Sequence, residues 1–231
     1  MSQEHREREK ELAGRSAAAA VEDGDVVGLG TGSTAAHAIE ALGERVDEEG
    51  LAIRGIPTSH QSRHRAMEAG IPLTSLHRAT PDVAIDGADQ VGDALDLIKG
   101  GGAAHARERV VAHAADRFAV VVDGSKRASD GALDEPVPLE VLGFAVPVVE
   151  DAVRALGGEP ALRMAARKDG PVVTDNDNLV VDADLGRIDE PATVAGELDA
   201  VPGLVAHGLF VGMADEVHVG DGDDVEVLTP E

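Results

Sequence analysis

Four short segments of this sequence pair glycine with side chains able to hold or move charge. The first is Gly28-Leu29-Gly30-Thr31-Gly32-Ser33-Thr34. Glycine lets a backbone approach a ligand closely and adopt positive φ. Free amides at a helix start bind phosphate, and Ser33 and Thr34 add hydroxyl donors. The second is Asp86-Gly87-Ala88-Asp89. Two carboxylates at this spacing could divide acid and base roles or hold Mg²⁺, and in so acidic a chain a turn with surface aspartates is equally open. The third is Lys99-Gly100-Gly101-Gly102, followed by Glu108. Consecutive glycines cost backbone entropy, so a chain keeps them where close approach or unusual dihedrals are needed. Glu108 reads either as a partly buried general base or as an exposed helix glutamate paired with Arg107 or Arg109. The fourth is Asp123-Gly124-Ser125-Lys126. Lys99 and Lys126 are two of the only four lysines, with Lys10 and Lys168. Their place beside glycine-rich turns points to an anion site.

Commoner chemistries fit less well. The dinucleotide fingerprint needs glycine at its sixth position, where this sequence has Ser33. A nucleotide P-loop ends in Gly-Lys-Ser/Thr, and the first segment holds no lysine. Cysteine is absent, which excludes disulfides, thiolate metal sites and a cysteine nucleophile. His60 and His64 could face one way on a helix, but no third ligand accompanies them, and no metal site is assigned. His37, His105 and His113 are expected on helix surfaces. No serine-hydrolase elbow is present.

The elements that must carry these segments alternate. DVVGLG at 25–30, LAIRGI at 51–56 and FAVVVD at 118–123 read as short buried strands. Weaker strand signals lie at 71–76 and 82–86, and 94–98 is apolar but ambiguous. Helices are expected over 4–21, 33–48, 60–69 and 103–116. Apolar runs alternating with helices mark a parallel sheet covered on both faces. After a turn-rich link near 127–136 the order becomes strand, helix, two strands, helix, strand, which is the pattern of a split βαβ sandwich. The tail over 215–229 holds two more strands that return to the first sheet.

Composition narrows the class further. Asp and Glu number 44 against 20 Lys and Arg, for a net charge of -24. Such a field repels nucleic acid and anionic membranes. With 43% hydrophobic residues and clear periodicity the chain is globular, and the acidic surplus with scarce lysine fits a salt-loving cytoplasm. The amino end carries no apolar run of signal type, and no stretch has the length a membrane span needs. A cytoplasmic protein without nucleic-acid or membrane partners is expected.

Taken in order, these segments resemble the A-type ribose-5-phosphate isomerase family. Besides the four above, the match includes PTS at 57–59, RE at 107–108, PLEV at 138–141, VTDN at 173–176 and GLF at 208–210, and it runs nearly the whole chain. The resemblance implies a Rossmann-like, mostly parallel α/β domain over 1–130 plus 208–231, with a smaller ferredoxin-like α+β domain over 131–207. It implies a homodimer or homotetramer acting on a pentose 5-phosphate without metal, nucleotide or other cofactor, through a cis-enediolate. By motif, Glu108 would be the base, with Lys99 and Asp86 steadying charge on the sugar oxygens. Asp86 and Asp89 would help open the furanose ring. The substrate would be lined by Gly30, Thr31, Gly32, Ser33, Thr34, Thr58, Ser59, Asp86, Gly87, Ala88, Asp89, Lys99, Gly100, Gly101 and Gly102, with Lys126 on the phosphate. One departure stands out: the family's acidic turn reads DGADE, and here its last position is Gln90.

Two rival readings meet obstacles. A dehydrogenase-type nucleotide site is opposed by Ser33, and Asp47 to Glu49 precede the second strand instead of ending it. A sugar-phosphate sensor would need a DNA-binding domain, and the residues before the first strand are too few for a helix-turn-helix unit with its core.

Overall fold

The computed structural model describes residues 3–230. In chain order the first elements are α1 (Gln3–Ala19), β1 (Val26–Leu29), α2 (Ser33–Glu48), β2 (Arg54–Pro57), α3 (His60–Glu68) and β3 (Val83–Gly87). Next come β4 (Gln90–Val91), β5 (Leu97–Ile98), α4 (His105–Ala114), β6 (Arg117–Asp123) and β7 (Val137–Val141). The remainder are α5 (Val146–Ala155), β8 (Glu159–Leu162), β9 (Leu179–Asp184), α6 (Pro191–Asp199), β10 (Leu204–His207), β11 (Leu209–Phe210), β12 (Glu216–Asp221) and β13 (Asp224–Leu228). They form two compact units. One comprises the residues up to Ala88, Arg107–Lys126 and those from Met213 onward; the other comprises Asp89–Ala106 and Arg127–Gly212.

The first unit is an α/β layer structure on a six-stranded sheet, in the order β13-β12-β6-β3-β1-β2. Every pairing is parallel except that of β13 with β12. Alternation along the strands sends Val27, Leu29, Val83, Ile85, Ala119 and Val121 into one core with Ala13 and Ala17 of α1 and Ile39 and Leu42 of α2. Each large aliphatic side chain buried there contributes about 1.5–3 kcal/mol. On the other face α4 lies so close that a β-carbon at Gly28 would come within 2.5 Å of Val111 Cγ1. From β1 the chain moves outward to β2, then crosses back to β3 on β1's other side. Such a reversal is a topological switch point, and open sheets bind ligands there, beyond the carboxyl ends of the strands.

The second unit follows the order β7-α5-β8-β9-α6-β10 and pairs its strands as an antiparallel sheet, β10-β7-β9-β8. That is the split βαβ sandwich read from the pattern. Leu139, Val141, Val181 and Ala183 pack against Val149 and Val153 of α5 and Leu198 of α6. A small sheet, β11-β5-β4, adds to this unit.

Three local readings differ from the sequence analysis. The strand expected over 71–76 reduces to one bridge, Leu73 to Gly55, because Pro72 has no N–H with which to extend a ladder. The ambiguous stretch 94–98 closes a short hairpin of β4 on β5, with Leu95 at φ 61 in the turn. Residues 89–106, 127–130 and 208–212, grouped with the first domain by order along the chain, belong to the second unit. There β5 pairs with β11, and Lys99 N donates to Gly208 O at 2.8 Å. Among the described residues no helix is long and apolar enough to cross a membrane.

Candidate active site

In the first unit β2, β1, β3 and β6 are adjacent and parallel, so their carboxyl ends share one edge. The glycine turn leaves β1 on this edge. Gly30 N donates to Ile85 O at 2.9 Å, and Thr31 N donates to Asp86 Oδ1 at 2.9 Å. The approach is so close that a β-carbon at Gly30 would lie 2.2 Å from Asp86 Oδ1, so only glycine fits. Asp86 is 3% exposed at the end of β3, and Gly87 N also donates to its Oδ1, at 2.8 Å. Two amides thereby fix the carboxylate's orientation.

The Pro57-Thr58-Ser59 segment leaves β2 beside this turn and is stitched to it. Thr31 Oγ1 lies 2.9 Å from Thr58 Oγ1 and donates to Ser59 Oγ at 2.7 Å, while Thr58 N donates to Leu29 O at 3.0 Å. Ser59 caps α3, accepting from Ser62 N at 3.1 Å. Thr58 and Ser59 are buried. Their hydroxyls thus shape the loop, whereas Ser33 is exposed and Thr34 half-buried in the first turn of α2. The residue before that turn is Gly32, which supplies no capping side chain, and its own N donates to Gln61 Oε1 at 3.0 Å.

Beyond β6, buried Asp123 accepts from Ser125 N at 3.1 Å and from Ser125 Oγ, which sets the turn Gly124–Lys126 and half-buries Lys126. Glu108 sits in the first turn of α4 and is 4% exposed. Helix α4 feeds into the amino end of β6, so it runs back along the sheet and its own amino end lies toward the carboxyl edge. Glu108 shares the sheet-facing side with Val111, one turn on. The exposed-glutamate reading therefore does not hold.

The second unit carries the remaining candidates. Asp89 is half-buried; its N donates to Ile98 O at 2.8 Å, and its Oδ2 accepts from Gly101 N at 2.7 Å. Lys99 is 2% exposed, with Nζ 5.4 Å from the Phe210 ring centroid, a cation–π contact. Gly100 is buried at φ 109, while Gly101 and Gly102 are exposed. Gln90 sits behind Asp89: its Oε1 accepts from Asp134 N at 2.8 Å and Glu135 N at 3.0 Å, and its Nε2 donates to Asp134 Oδ1 at 2.5 Å. A glutamine suits this pocket because it must donate and accept at once. His105, expected on a helix surface, is fully buried, with Nε2 3.3 Å from Ala206 O. It packs under Gly100, where a β-carbon would meet its Nδ1 at 2.7 Å. Among the described residues no three His, Asp or Glu side chains gather at metal-ligand spacing.

The family model for ribose 5-phosphate isomerase A (phosphoriboisomerase A) matches residues 54–224. The chain belongs to this family. The ribose-5-phosphate isomerase A of Natronomonas pharaonis is 67% identical over 221 residues, covering 96% of each chain. That of Haloarcula marismortui is 60% identical over 220 residues, covering 95% of each. Both relatives are from halophilic archaea, in keeping with the acidic surplus. A solved D-ribose-5-phosphate isomerase in complex with phospho-erythronic acid has a TM-score of 0.94 and 40% identity, covering 97% of this chain and 99% of its own. Its likeness extends over both units, so the α/β sheet and the smaller antiparallel sheet are the family's architecture.

Proposed function

We propose that the chain interconverts D-ribose 5-phosphate and D-ribulose 5-phosphate through a cis-enediolate, with Glu108 as the general base. The observation that carries this reading is the burial of Glu108, 4% exposed, in the first turn of a helix that begins toward the edge holding the glycine turn, Asp86 and Lys126. A carboxylate there is withdrawn from solvent yet stands where open sheets take ligands. The ligand of the solved relative supports it. Phospho-erythronic acid carries a phosphate and a planar carboxylate, and the carboxylate's two oxygens resemble those of an enediolate.

The steps balance without a further reactant. Glu108 takes the proton from C2 of the aldose and returns it to C1, while a hydroxyl proton passes from O2 to O1. One group serves both carbons, which a single carboxylate of suitable pKa can do. Lys99 offsets the negative charge that develops on the oxygens, an interaction stronger in the transition state than in the ground state. Asp86, oriented through its Oδ1, relays the hydroxyl proton, and Asp86 and Asp89 assist ring opening. Lys126, Ser33, Thr34 and the amides at the start of α2 hold the phosphate. The test is isomerisation of ribose 5-phosphate by purified protein in molar KCl with excess chelator, following ribulose 5-phosphate. Full activity is expected, and activity restored only by an added divalent cation would overturn the metal-free mechanism.

A further inference from the structure

We propose that Arg163, braced by Asp182, is the positioning residue of the Lys99 loop; this rests on the role given to Lys99 above. The loop Lys99-Gly100-Gly101-Gly102 has three residues without side chains, so its own conformation is costly to hold. On its amino side Lys99 N is tied to Gly208 O at 2.8 Å. On its carboxyl side Ala103 N donates to Gly100 O at 2.9 Å, Asp89 accepts from Gly101 N at 2.7 Å, and Arg163 adds the remaining ties.

Arg163 follows β8 and reaches the loop across the sheet. Its Nη1 donates to Gly100 O at 2.9 Å and to Gly101 O at 3.1 Å. Its Nε donates to Asp182 Oδ2 at 2.8 Å, and its Nη2 donates to Asp182 Oδ1. Asp182 thus holds one edge of the guanidinium and leaves a third nitrogen for two consecutive carbonyls. Only arginine has a planar fork of donors that serves a carboxylate and two carbonyls together. The pair is largely shielded, with side chains 19% and 28% exposed. Its output is a fixed path for the backbone that follows Lys99, and through it a fixed start for the lysine side chain.

The test compares Arg163→Ala, Arg163→Lys and Asp182→Asn with the parent in 2–3 M KCl, at the salt range where screening is about complete. Misplacing a charge-stabilising group by about 1 Å costs up to about 100-fold. Arg163→Ala is expected to lose at least about tenfold in kcat with KM changed less than about threefold. Methylguanidine should restore part of the loss, which a general loss of stability would not permit. Hydrogen exchange should quicken at Gly101–Ala103 and stay unchanged at Lys99, whose amide has its own partner. Arg163→Lys and Asp182→Asn should fall between. An Arg163→Ala variant with kcat within about twofold of an active parent, or unchanged exchange at Gly101–Ala103, overturns the proposal. A parent that does not isomerise ribose 5-phosphate would sink the functional reading instead, and the exchange arm would still decide whether Arg163 holds the loop.

Discussion

Replacing Gly30 by alanine tests whether the glycine turn exists to let the backbone reach Asp86. The added β-carbon would lie 2.2 Å from Asp86 Oδ1, 2.3 Å from Cγ and 2.6 Å from Cα, where ordinary contact begins at 3.4 Å. Asp86 cannot yield as a unit, because its backbone is paired in β3 against Val120 of β6. The turn must move instead, by about 1 Å, and it then loses the bonds from Gly30 N to Ile85 O and from Thr31 N to Asp86 Oδ1. Overpacking costs about 1–3 kcal/mol, and a hydrogen bond to a charged group about 1.5–3 kcal/mol. For a chain of this size a loss of about 4 kcal/mol lowers the melting midpoint by roughly 8–16 °C. Thermal melts at molar KCl read that number directly. Gly32→Ala is the control, since nothing lies within 4 Å of its added carbon and only the strain of φ 117 remains, about 1–3 kcal/mol. Its midpoint should therefore fall less. A Gly30→Ala midpoint within about 2 °C of the parent, or a Gly32→Ala loss as large, would refute the steric argument.

Three further outcomes follow from the same geometry. Gln90→Glu removes the donor to Asp134 and sets two carboxylates together, at a cost of about 1–3 kcal/mol at pH 7. The new carboxyl's folded pKa is raised, so the deficit is full above that pKa and vanishes as pH falls below the unfolded value; melts at pH 7 and pH 4 check it, and a deficit that grows on acidification contradicts it. If Lys126 holds the phosphate as proposed, Lys126→Ala should raise KM far more than it lowers kcat; a fall in kcat at constant KM would move this lysine into the chemistry. A chain of net charge -24 repels itself when the Debye length is about 10 Å and much less at about 3 Å, so its midpoint should climb from 0.1 to 3 M KCl; a flat curve would mean that its charges are compensated locally.

The parallel sheet was legible because DVVGLG and FAVVVD are short apolar runs bounded by glycine and charge and alternate with helical patterns. The split βαβ unit was legible from element order. What stayed hidden depends on partners distant in sequence. Arg107 and Arg109 kept an exposed reading of Glu108 open beside the partly buried one, and only Val111, one turn on, hints at the buried side. His105 looked exposed because Gly100 and Ala206, which enclose it, carry no pattern that points to it. The grip of Arg163 on Gly100 and Gly101 spans more than sixty positions and has no local signature. Residues 89–106 were misgrouped because β5 pairs with β11, far along the chain, and two-residue strands leave no periodicity to read.

The measurement that bears most directly on the mechanism is turnover and deuterium exchange in Glu108→Gln. Glutamine keeps the size and hydrogen-bonding capacity of the buried side chain but cannot take up a proton at neutral pH. Loss of a general base costs about 10²–10⁴ in rate, and the loss should fall on kcat more than on KM. In D₂O the parent should place solvent deuterium at C2 when it forms the aldose and at C1 when it forms the ketose. The variant should place it at neither, while retaining the parent's melting behaviour and binding ribose 5-phosphate by calorimetry. A folded variant whose activity stays within about tenfold of the parent, with deuterium still entering the sugar, would contradict the account and pass the role of base to Asp86 or Asp89.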